Sequence, residues 1–179
     1  IYVLSRKSTF KGFDDLKNVK IIKGDISYPQ MIEGSEQHKF IFENIDIVIH
    51  AAALYDVQAS YSESYMQNII GTQNTIRLAR KIKNLRAFYY VSTLAIAEEE
   101  SFYLAEDEFP DRKKFSDHYS ETKYHAEKLV RDMGDKMNVR IIRPGIIVGD
   151  SRTGHYSKVD GPYYFMNSLK EKAPLLKLM

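Results

Sequence analysis

Short apolar segments alternate with longer amphipathic segments along most of this chain. Five of the short segments are predicted strands, because several are rich in Val and Ile and residues 47–49 are apolar on both faces, as in strands that are buried from both sides. These predicted strands are residues 2–5, 19–23, 46–50, 86–92 and 139–143. Three segments between them carry apolar residues at helical spacing, and the predicted helices are residues 30–42, 62–83 and 117–133. This alternation predicts an α/β fold with a doubly wound parallel sheet and helices on both faces.

The composition excludes several classes of protein. The 179 residues suffice for one domain with a core, and a formal net charge of +2 favours neither nucleic acid nor a membrane surface as partner. No apolar run approaches the ~20 residues that span a bilayer, and no secretory signal is visible. The absence of cysteine excludes disulfides and thiolate chemistry and favours a cytoplasmic location. The five histidines lack metal-ligand spacing, so we expect no metal.

A tyrosine and a lysine stand four residues apart where the last predicted helix begins, in the sequence Tyr119-Ser120-Glu121-Thr122-Lys123. At this spacing the two side chains lie on one face of the helix, one turn apart. An ammonium group beside a phenol favours the phenolate, so we expect the pKa of the phenol to be lowered. Such a tyrosine can donate and accept a proton near neutral pH. The pattern is common in proteins, so its meaning depends on its context.

Small and hydrogen-bonding residues follow the predicted strands. The carboxyl ends of parallel strands form the edge of the sheet at which ligands bind in this fold class. Asp25 can accept a hydrogen bond from an adenine amino group. Arg6 can bind a 2′-phosphate, which favours NADP over NAD, and the alternative is a surface arginine at a strand end. The residues that follow the strands are Arg6, Gly24, Asp25, Ile26, Ala51, Ala52, Ala53, Ser92, Thr93, Pro144 and Gly145.

Several motifs stand in a characteristic order along the chain. They are His50-Ala51-Ala52-Ala53, Asn68 with Gly71-Thr72, Val91-Ser92-Thr93, Tyr119 with Lys123, and Arg143-Pro144-Gly145. In this order and at these separations they resemble the extended short-chain dehydrogenase/reductase family. Residues 53–56, 148–154 and 160–165 look most like the branch that reduces acyl thioesters. That branch includes fatty acyl-CoA reductases and the terminal reductase domains of carboxylic acid reductases and peptide synthetases.

The resemblance implies a role for each residue of a catalytic site. Tyr119 protonates the carbonyl oxygen as hydride arrives, while Lys123 lowers the tyrosine pKa and holds the nicotinamide ribose. Thr93 hydrogen-bonds the same oxygen, with Ser92 as the neighbouring candidate. Asn68 either takes part in the site or holds a neighbouring strand.

The implied cofactor is NADP, with NAD as the alternative. The implied cofactor-binding residues are Arg6, Asp25, Ile26, Ala51, Ala52, Ala53, Ser92, Tyr119, Lys123, Pro144, Gly145 and Ile146.

The chain also departs from the family pattern. No G-x-x-G-x-x-G sequence occurs in it, and the family's first strand and glycine-rich turn would precede Ile1, which is not a methionine. We therefore expect a piece of a longer protein. Residues 1–150 would form a Rossmann-like domain without its first βα unit, and residues 151–179 would begin a truncated substrate-binding region. Loss of a central strand exposes strand edges and weakens dinucleotide binding.

The leading hypothesis is an NADP(H)-dependent reductase of acyl thioesters or of the aldehydes derived from them. Within the same family, a nucleotide-sugar epimerase or dehydratase and a hydroxyl dehydrogenase are alternatives. A non-catalytic dinucleotide-binding scaffold or an inactive fragment is an alternative of another class. The presence of Thr93, Tyr119 and Lys123 together disfavours the scaffold. The expected partner is a carbonyl substrate, and neither nucleic acid nor a membrane span is expected.

Overall fold

The computed structural model of the protein describes residues 1–7, 17–32, 34–56, 58–97, 104–156, 162–164 and 166–169. The chain divides into two units, Ile1–Arg143 and Pro144–Met179. The first unit contains the sheet and its helices. The predicted division into a dinucleotide-binding domain over residues 1–150 and a substrate-binding region after it stays a prediction.

The strands of the first unit are parallel and lie within the five segments predicted from sequence. They are β1 (Tyr2–Ser5), β2 (Lys20–Lys23), β3 (Ile47–His50), β4 (Ala87–Val91) and β5 (Val139–Ile142). β1 pairs with β2 in one sheet, and β4 pairs with both β3 and β5 in another. Parallel strands connected through helices confirm the predicted α/β, Rossmann-like class.

The parallel sheet is split, because no strand among the described residues lies between β1 and β3. This division agrees with the expectation of a doubly wound sheet without its first βα unit. It leaves two apolar side chains of β3 in contact with water, since Ile47 is 42% exposed and Ile49 is 66% exposed. Central strands of such sheets are normally covered on both faces.

The helices of the first unit differ from the predicted ones mainly at their ends. They are α1 (Ser35–Asn44), α2 (Tyr61–Ser64), a π-helical turn (Tyr65–Ile70), α3 (Gly71–Ala79), a 3-10 turn (Leu94–Ile96) and α4 (His118–Arg131). The predicted start of the first helix at residue 30 is wrong. Met31 has a φ of 54°, outside the helical region, and Ile32 forms an antiparallel bridge with Gly24.

The predicted helix over residues 62–83 consists of three consecutive pieces, α2, the π-helical turn and α3. A reciprocal capping box starts it, because the Ser60 hydroxyl accepts from the Glu63 N–H while the Glu63 carboxylate accepts from the Ser60 N–H. The π-helical turn shifts the helix face by part of a turn. Met66 within this turn is 44% exposed, whereas Ile69 is buried.

Two apolar clusters form the core of the first unit. The larger lies between α3, α4 and β4, and its buried members are Ile76, Ala79, Phe88, Tyr90, Ala126 and Val130. The smaller joins α1 to the segment after β2, and its buried members are Met31, Ile32, Ile41 and Ile82. The first cluster packs α4 against β4, and α4 also contacts the 3-10 turn that follows the carboxyl end of that strand.

The loop after β2 packs against the start of α3. A Cβ atom at Gly71 would lie 2.6 Å from the Ile26 side chain, so glycine permits this close approach. Asn74 then donates a hydrogen bond to the Ile26 carbonyl oxygen at 2.8 Å. These contacts fix the segment that carries Asp25, one of the predicted cofactor-binding residues.

Candidate active site

Tyr119 lies in the first turn of α4, two residues after the residue that caps the helix. The Asp117 carboxylate caps α4 by accepting a hydrogen bond from the Ser120 N–H at 2.8 Å. The Ser120 hydroxyl donates to the same carboxylate at 2.6 Å. The helix therefore begins at a defined residue, and the partly buried Tyr119 side chain starts from a fixed backbone position.

The Tyr119 phenol contacts two residues from other segments. Its hydroxyl lies near the Thr93 hydroxyl, and its ring meets the Tyr55 ring edge-on, with centroids 4.8 Å apart. Burial raises the pKa of Tyr119. The Thr93 hydroxyl opposes this rise, while Tyr55 and Asp117 add to it. The predicted lowering of this pKa is therefore wrong, and the phenol is protonated at neutral pH.

Lys123 is buried one turn after Tyr119, and its ammonium group faces β4. The Nζ atom donates to the Val91 carbonyl oxygen at 2.7 Å and lies 4.3 Å from the centroid of the Tyr90 ring. Burial lowers the pKa of Lys123 to about 8, and the Glu127 carboxylate partly opposes this shift. The sequence predicted a lowered Tyr119 pKa on the assumption that the Lys123 ammonium acts on the phenol. In the structure this ammonium is directed at a carbonyl and at another ring.

Thr93 and Ser92 follow β4, and the structure distinguishes them. Thr93 is partly exposed and reaches the Tyr119 hydroxyl, and its own oxygen also accepts from the Ala95 N–H at 3.1 Å. Ser92 is only 3% exposed. Of the two hydroxyls considered from sequence, that of Thr93 is therefore the one placed beside the phenol.

Asn68 joins the loop after β3 to α4. Its carboxamide accepts from the Leu54 N–H at 2.7 Å and donates to the Leu54 carbonyl oxygen at 3.1 Å. It also donates to the Thr122 hydroxyl at 2.9 Å. Asn68 is buried within the π-helical turn, a local geometry that is frequent at functional sites. Of its two predicted roles, the geometry supports holding a neighbouring segment.

A buried carboxylate on α4 gathers two arginines. Glu127 accepts from Arg143 at 2.6 Å and from Arg131 at 2.9 Å. The same arginines donate to main-chain carbonyls of the segment between β4 and α4, including those of Ala105 and Glu108. Burial opposes ionisation of Glu127, but the hydrogen bonds from Arg143 and Arg131 outweigh it and hold its pKa below the usual value.

A cleft of about 160 Å³ opens beyond the carboxyl ends of β1, β2 and β3. Its lining residues are Leu4, Arg6, Gly24, Asp25, Ile26, Ala52, Ala53, Leu54 and Gln67. Five of the predicted cofactor-binding residues are therefore brought together from two sheets, and they are Arg6, Asp25, Ile26, Ala52 and Ala53. One oxygen of the Asp25 carboxylate accepts from the N–H and the hydroxyl of Ser27 at 2.8 and 2.7 Å, which holds this loop in a turn.

The remaining predicted cofactor-binding residues have other surroundings. Ala51 is exposed directly after β3. Pro144, Gly145 and Ile146 belong to the second unit, in which Ile146 is 75% exposed. Their cofactor-binding role stays a prediction. Within the second unit, the Tyr156 and Tyr163 rings stack with centroids 4.5 Å apart.

Two negative findings apply to the described residues only. No group of three His, Asp or Glu side chains among them is arranged to hold a metal ion. No helix in that part of the chain combines the length and the apolar character needed to cross a membrane.

The sequence reasoning missed two residues of this region. Tyr55 was quoted only as part of a family motif, yet its ring contacts Tyr119. Glu127 lies four residues after Lys123, so the helical spacing could have indicated it. Its ion pair with Arg143 spans sixteen residues and two elements, and no sequence pattern indicates such a contact.

Comparisons with known proteins agree with this architecture. The family model described as male sterility protein matches residues 2–175. The fatty acyl-CoA reductase wat of Drosophila melanogaster is 30% identical, with 80% of this chain and 33% of that protein covered. Fatty acyl-CoA reductase 1 of Xenopus laevis is 28% identical, with 75% of this chain and 31% of that protein covered.

A solved structure has the same fold. The terminal R domain from the myxalamid PKS-NRPS biosynthetic pathway is similar, with a TM-score of 0.77 and 26% identity over 92% of this chain and 47% of that one. The chain spans about a third of the length of the fatty acyl-CoA reductases that it matches. These similarities confirm the resemblance that the motifs indicated. The parallel fold, the order of motifs and the family match over residues 2–175 together show that the chain belongs to the male sterility protein family, within the extended short-chain dehydrogenase/reductases.

Proposed function

We propose that this chain carries the proton-donor site of an NADP(H)-dependent reductase of acyl thioesters or of the aldehydes derived from them. The observation that carries the proposal is the proximity of the Tyr119 and Thr93 hydroxyls beyond the carboxyl end of β4. A carbonyl oxygen placed between them can accept from both groups. The named relatives include fatty acyl-CoA reductases, which supports a thioester as the substrate class.

A nicotinamide cofactor, when bound, supplies the hydride that reduces the carbonyl carbon. Tyr119 donates its proton to the carbonyl oxygen, and the raised pKa keeps this proton on the phenol at neutral pH. The Thr93 hydroxyl donates a hydrogen bond to the same oxygen, a contact typically worth a few kcal/mol where charge develops. When a thioester is reduced, the resulting hemithioacetal releases a thiol and an aldehyde.

Lys123 supplies positive charge to this site. Its ammonium is held by the Val91 carbonyl and the face of the Tyr90 ring. Because this ammonium is directed at Val91 and Tyr90 and does not lower the Tyr119 pKa, the role proposed for it is to hold the nicotinamide ribose hydroxyls. Because the pKa of Lys123 is about 8, the charge is present at neutral pH and lost in mildly alkaline solution.

The cleft beyond β1, β2 and β3 has residues that fit a dinucleotide. Ala52 and Ala53 present little side chain to a flat group. Arg6 is exposed at the rim and can pair with a 2′-phosphate, which favours NADP over NAD. Asp25 is placed in the same cleft, and we propose that it faces the adenine.

The test uses the full-length protein with NADPH and a long-chain acyl-CoA. Loss of reduced-cofactor absorbance with release of free CoA is the expected result, and Tyr119→Phe is the control that should abolish it. Absence of both signals in a folded protein that binds NADPH contradicts the proposal. A purified protein that retains a tightly held, non-exchanging NAD would instead indicate an epimerase.

A further inference from the structure

We propose that Tyr55 is a positioning residue for Tyr119. The Tyr55 ring closes one side of the Tyr119 phenol to water and fixes the orientation of that phenol toward Thr93. This inference rests on the proposed function, in which Tyr119 is the proton donor. It assigns a task to the loop after β3 that goes beyond lining the cofactor cleft.

The contact between the two rings is of a favourable kind. The Tyr55 and Tyr119 rings meet at 72° with centroids 4.8 Å apart, an edge-to-face arrangement that aromatic pairs prefer. Tyr119 is partly buried, whereas the Tyr55 side chain stands on the surface and is 48% exposed. Tyr55 therefore covers the phenol from outside, at a place where its removal opens a path for water without disturbing the core.

The loop that carries Tyr55 is irregular, yet the residue before it is fixed. Both main-chain groups of Leu54 are hydrogen-bonded to the Asn68 side chain, at 2.7 and 3.1 Å. The same carboxamide reaches Thr122 of α4 at 2.9 Å. One buried side chain thus ties the segment before Tyr55 to the helix that carries Tyr119, and it sets the distance between the two rings.

The Tyr55 ring, rather than its hydroxyl, provides the shielding. Burial is the largest cause of the raised pKa of Tyr119, and the Tyr55 phenol adds a smaller part. The other ionisable groups that influence Tyr119 or lie near it are Asp117 at the helix cap, Tyr90 on β4 and Lys123 on α4. These groups stay in place when Tyr55 is changed, so the difference between Tyr55→Ala and Tyr55→Phe in the Tyr119 pKa reports on the ring.

The experiment compares Tyr55→Ala with Tyr55→Phe in the full-length protein. Tyr61→Ala is the matched control, because Tyr61 is 39% exposed and its ring contacts His118, the neighbour of Tyr119. Tyrosine residues are labelled with ¹³C at Cζ, and the Tyr119 signal is assigned from its absence in Tyr119→Phe. Titration of this signal gives the pKa of the proton donor directly, independently of any activity.

We expect Tyr55→Ala to lower the Tyr119 pKa by roughly 1 unit and to reduce kcat about tenfold, since water reaches the phenol and its orientation is less fixed. Tyr55→Phe should retain most of both values, and Tyr61→Ala should match the parent. Equal titration curves and equal kcat in Tyr55→Ala and the parent would overturn the inference, as would equal losses in Tyr55→Phe and Tyr55→Ala. A parent without reductase activity contradicts the proposed function instead, while the titration still tests the contact.

Discussion

The carboxylate of Glu127 and the guanidinium of Arg143 form an ion pair closed to water, with Oε1 and Nη2 2.6 Å apart. Glu127 lies on α4 one turn after Lys123, and Arg143 directly follows β5, so the pair fixes the helix of the candidate site to the edge of the sheet. Because the Glu127 side chain is 0% exposed, neither charge can be left without its partner at low cost.

Removal of Glu127 should destabilise the protein strongly. We expect Glu127→Ala to lower the free energy of unfolding by about 3–5 kcal/mol, since it leaves the Arg143 guanidinium, which is 8% exposed, without its anion. The exposed pair of Glu43 and Lys83 provides the control. Glu43→Ala should lower the free energy of unfolding by less than about 1 kcal/mol. Urea denaturation measures both values. Similar losses for the two variants would show that the buried pair adds nothing beyond a surface contact.

The sequence predicted the fold class and the position of each strand, because short apolar segments alternate with longer amphipathic segments along the chain. It did not predict where α1 begins. The left-handed backbone of Met31 and the bridge between Gly24 and Ile32 depend on contacts with the strand before them, which no local pattern encodes. The π-helical turn was equally invisible, since the helical spacing of apolar residues continues through it.

The candidate site, like the fold, was predicted from the sequence only in part. Tyr119, Lys123 and Thr93 were indicated by spacing and order, and the structure places the Thr93 and Tyr119 hydroxyls together. The direction of the Tyr119 pKa was wrong, because proximity along a helix does not state where an ammonium group points. The roles of Tyr55 and Asn68 arise only when the loop after β3 is folded against α4, a contact between distant segments.

Tyr119 and Tyr124 stand on the same helix and should respond differently to loss of their hydroxyls. Tyr119→Phe removes the proposed proton donor, and we expect kcat to fall by about 10²–10⁴-fold with little change in stability. Tyr124→Phe removes a buried hydrogen bond to the Pro110 carbonyl, so stability should fall by about 1 kcal/mol while activity is retained. Steady-state kinetics and thermal denaturation of both variants separate the effects. Substantial activity in Tyr119→Phe would contradict the assignment.

The charge on Lys123 should give the reaction an alkaline limit. Its pKa of about 8 means that the ammonium is present below that pH and is lost as the pH rises through it. The Tyr119 phenol remains protonated in the same range, because its own pKa is raised. We therefore expect kcat/KM to fall above about pH 8, and this parameter reports on the free enzyme. A flat profile up to about pH 10, with circular dichroism confirming an intact fold, would contradict this role of Lys123.

Acid should destabilise the protein through His50. This side chain is 3% exposed, and its Nε2 atom is 2.9 Å from the Thr72 hydroxyl. Burial is the larger cause and the charge of Lys123 the smaller one that together lower the pKa of His50 to about 3. The unfolded chain binds this proton below its ordinary pKa of 6.5, while the folded protein does not until about pH 3. Stability is therefore lost as the pH falls through this window, by roughly 3 kcal/mol between pH 7 and pH 4.

The variant His50→Gln tests this source of acid sensitivity, because glutamine retains an N–H donor for Thr72 and does not titrate. We expect the difference in unfolding free energy between neutral and acidic solution to be smaller in His50→Gln than in the parent. His125→Gln changes an exposed histidine on α4 and serves as the control. If His50→Gln and His125→Gln lose the same stability in acid, the buried histidine is not responsible.

Arg6 should determine the choice between NADPH and NADH. Its side chain stands at the rim of the cleft after β1, where we propose that it pairs with the 2′-phosphate. A hydrogen-bonded charge pair contributes about 1.5–3 kcal/mol, so Arg6→Ala should weaken NADPH binding roughly ten- to hundredfold and leave NADH binding nearly unchanged. Lys7→Ala removes the same charge from the next residue and is the matched control. Fluorescence titration of the full-length protein with both cofactors measures the ratio. Equal weakening for NADPH and NADH would place Arg6 on a part of the cofactor that the two share, and no weakening would make it a surface arginine.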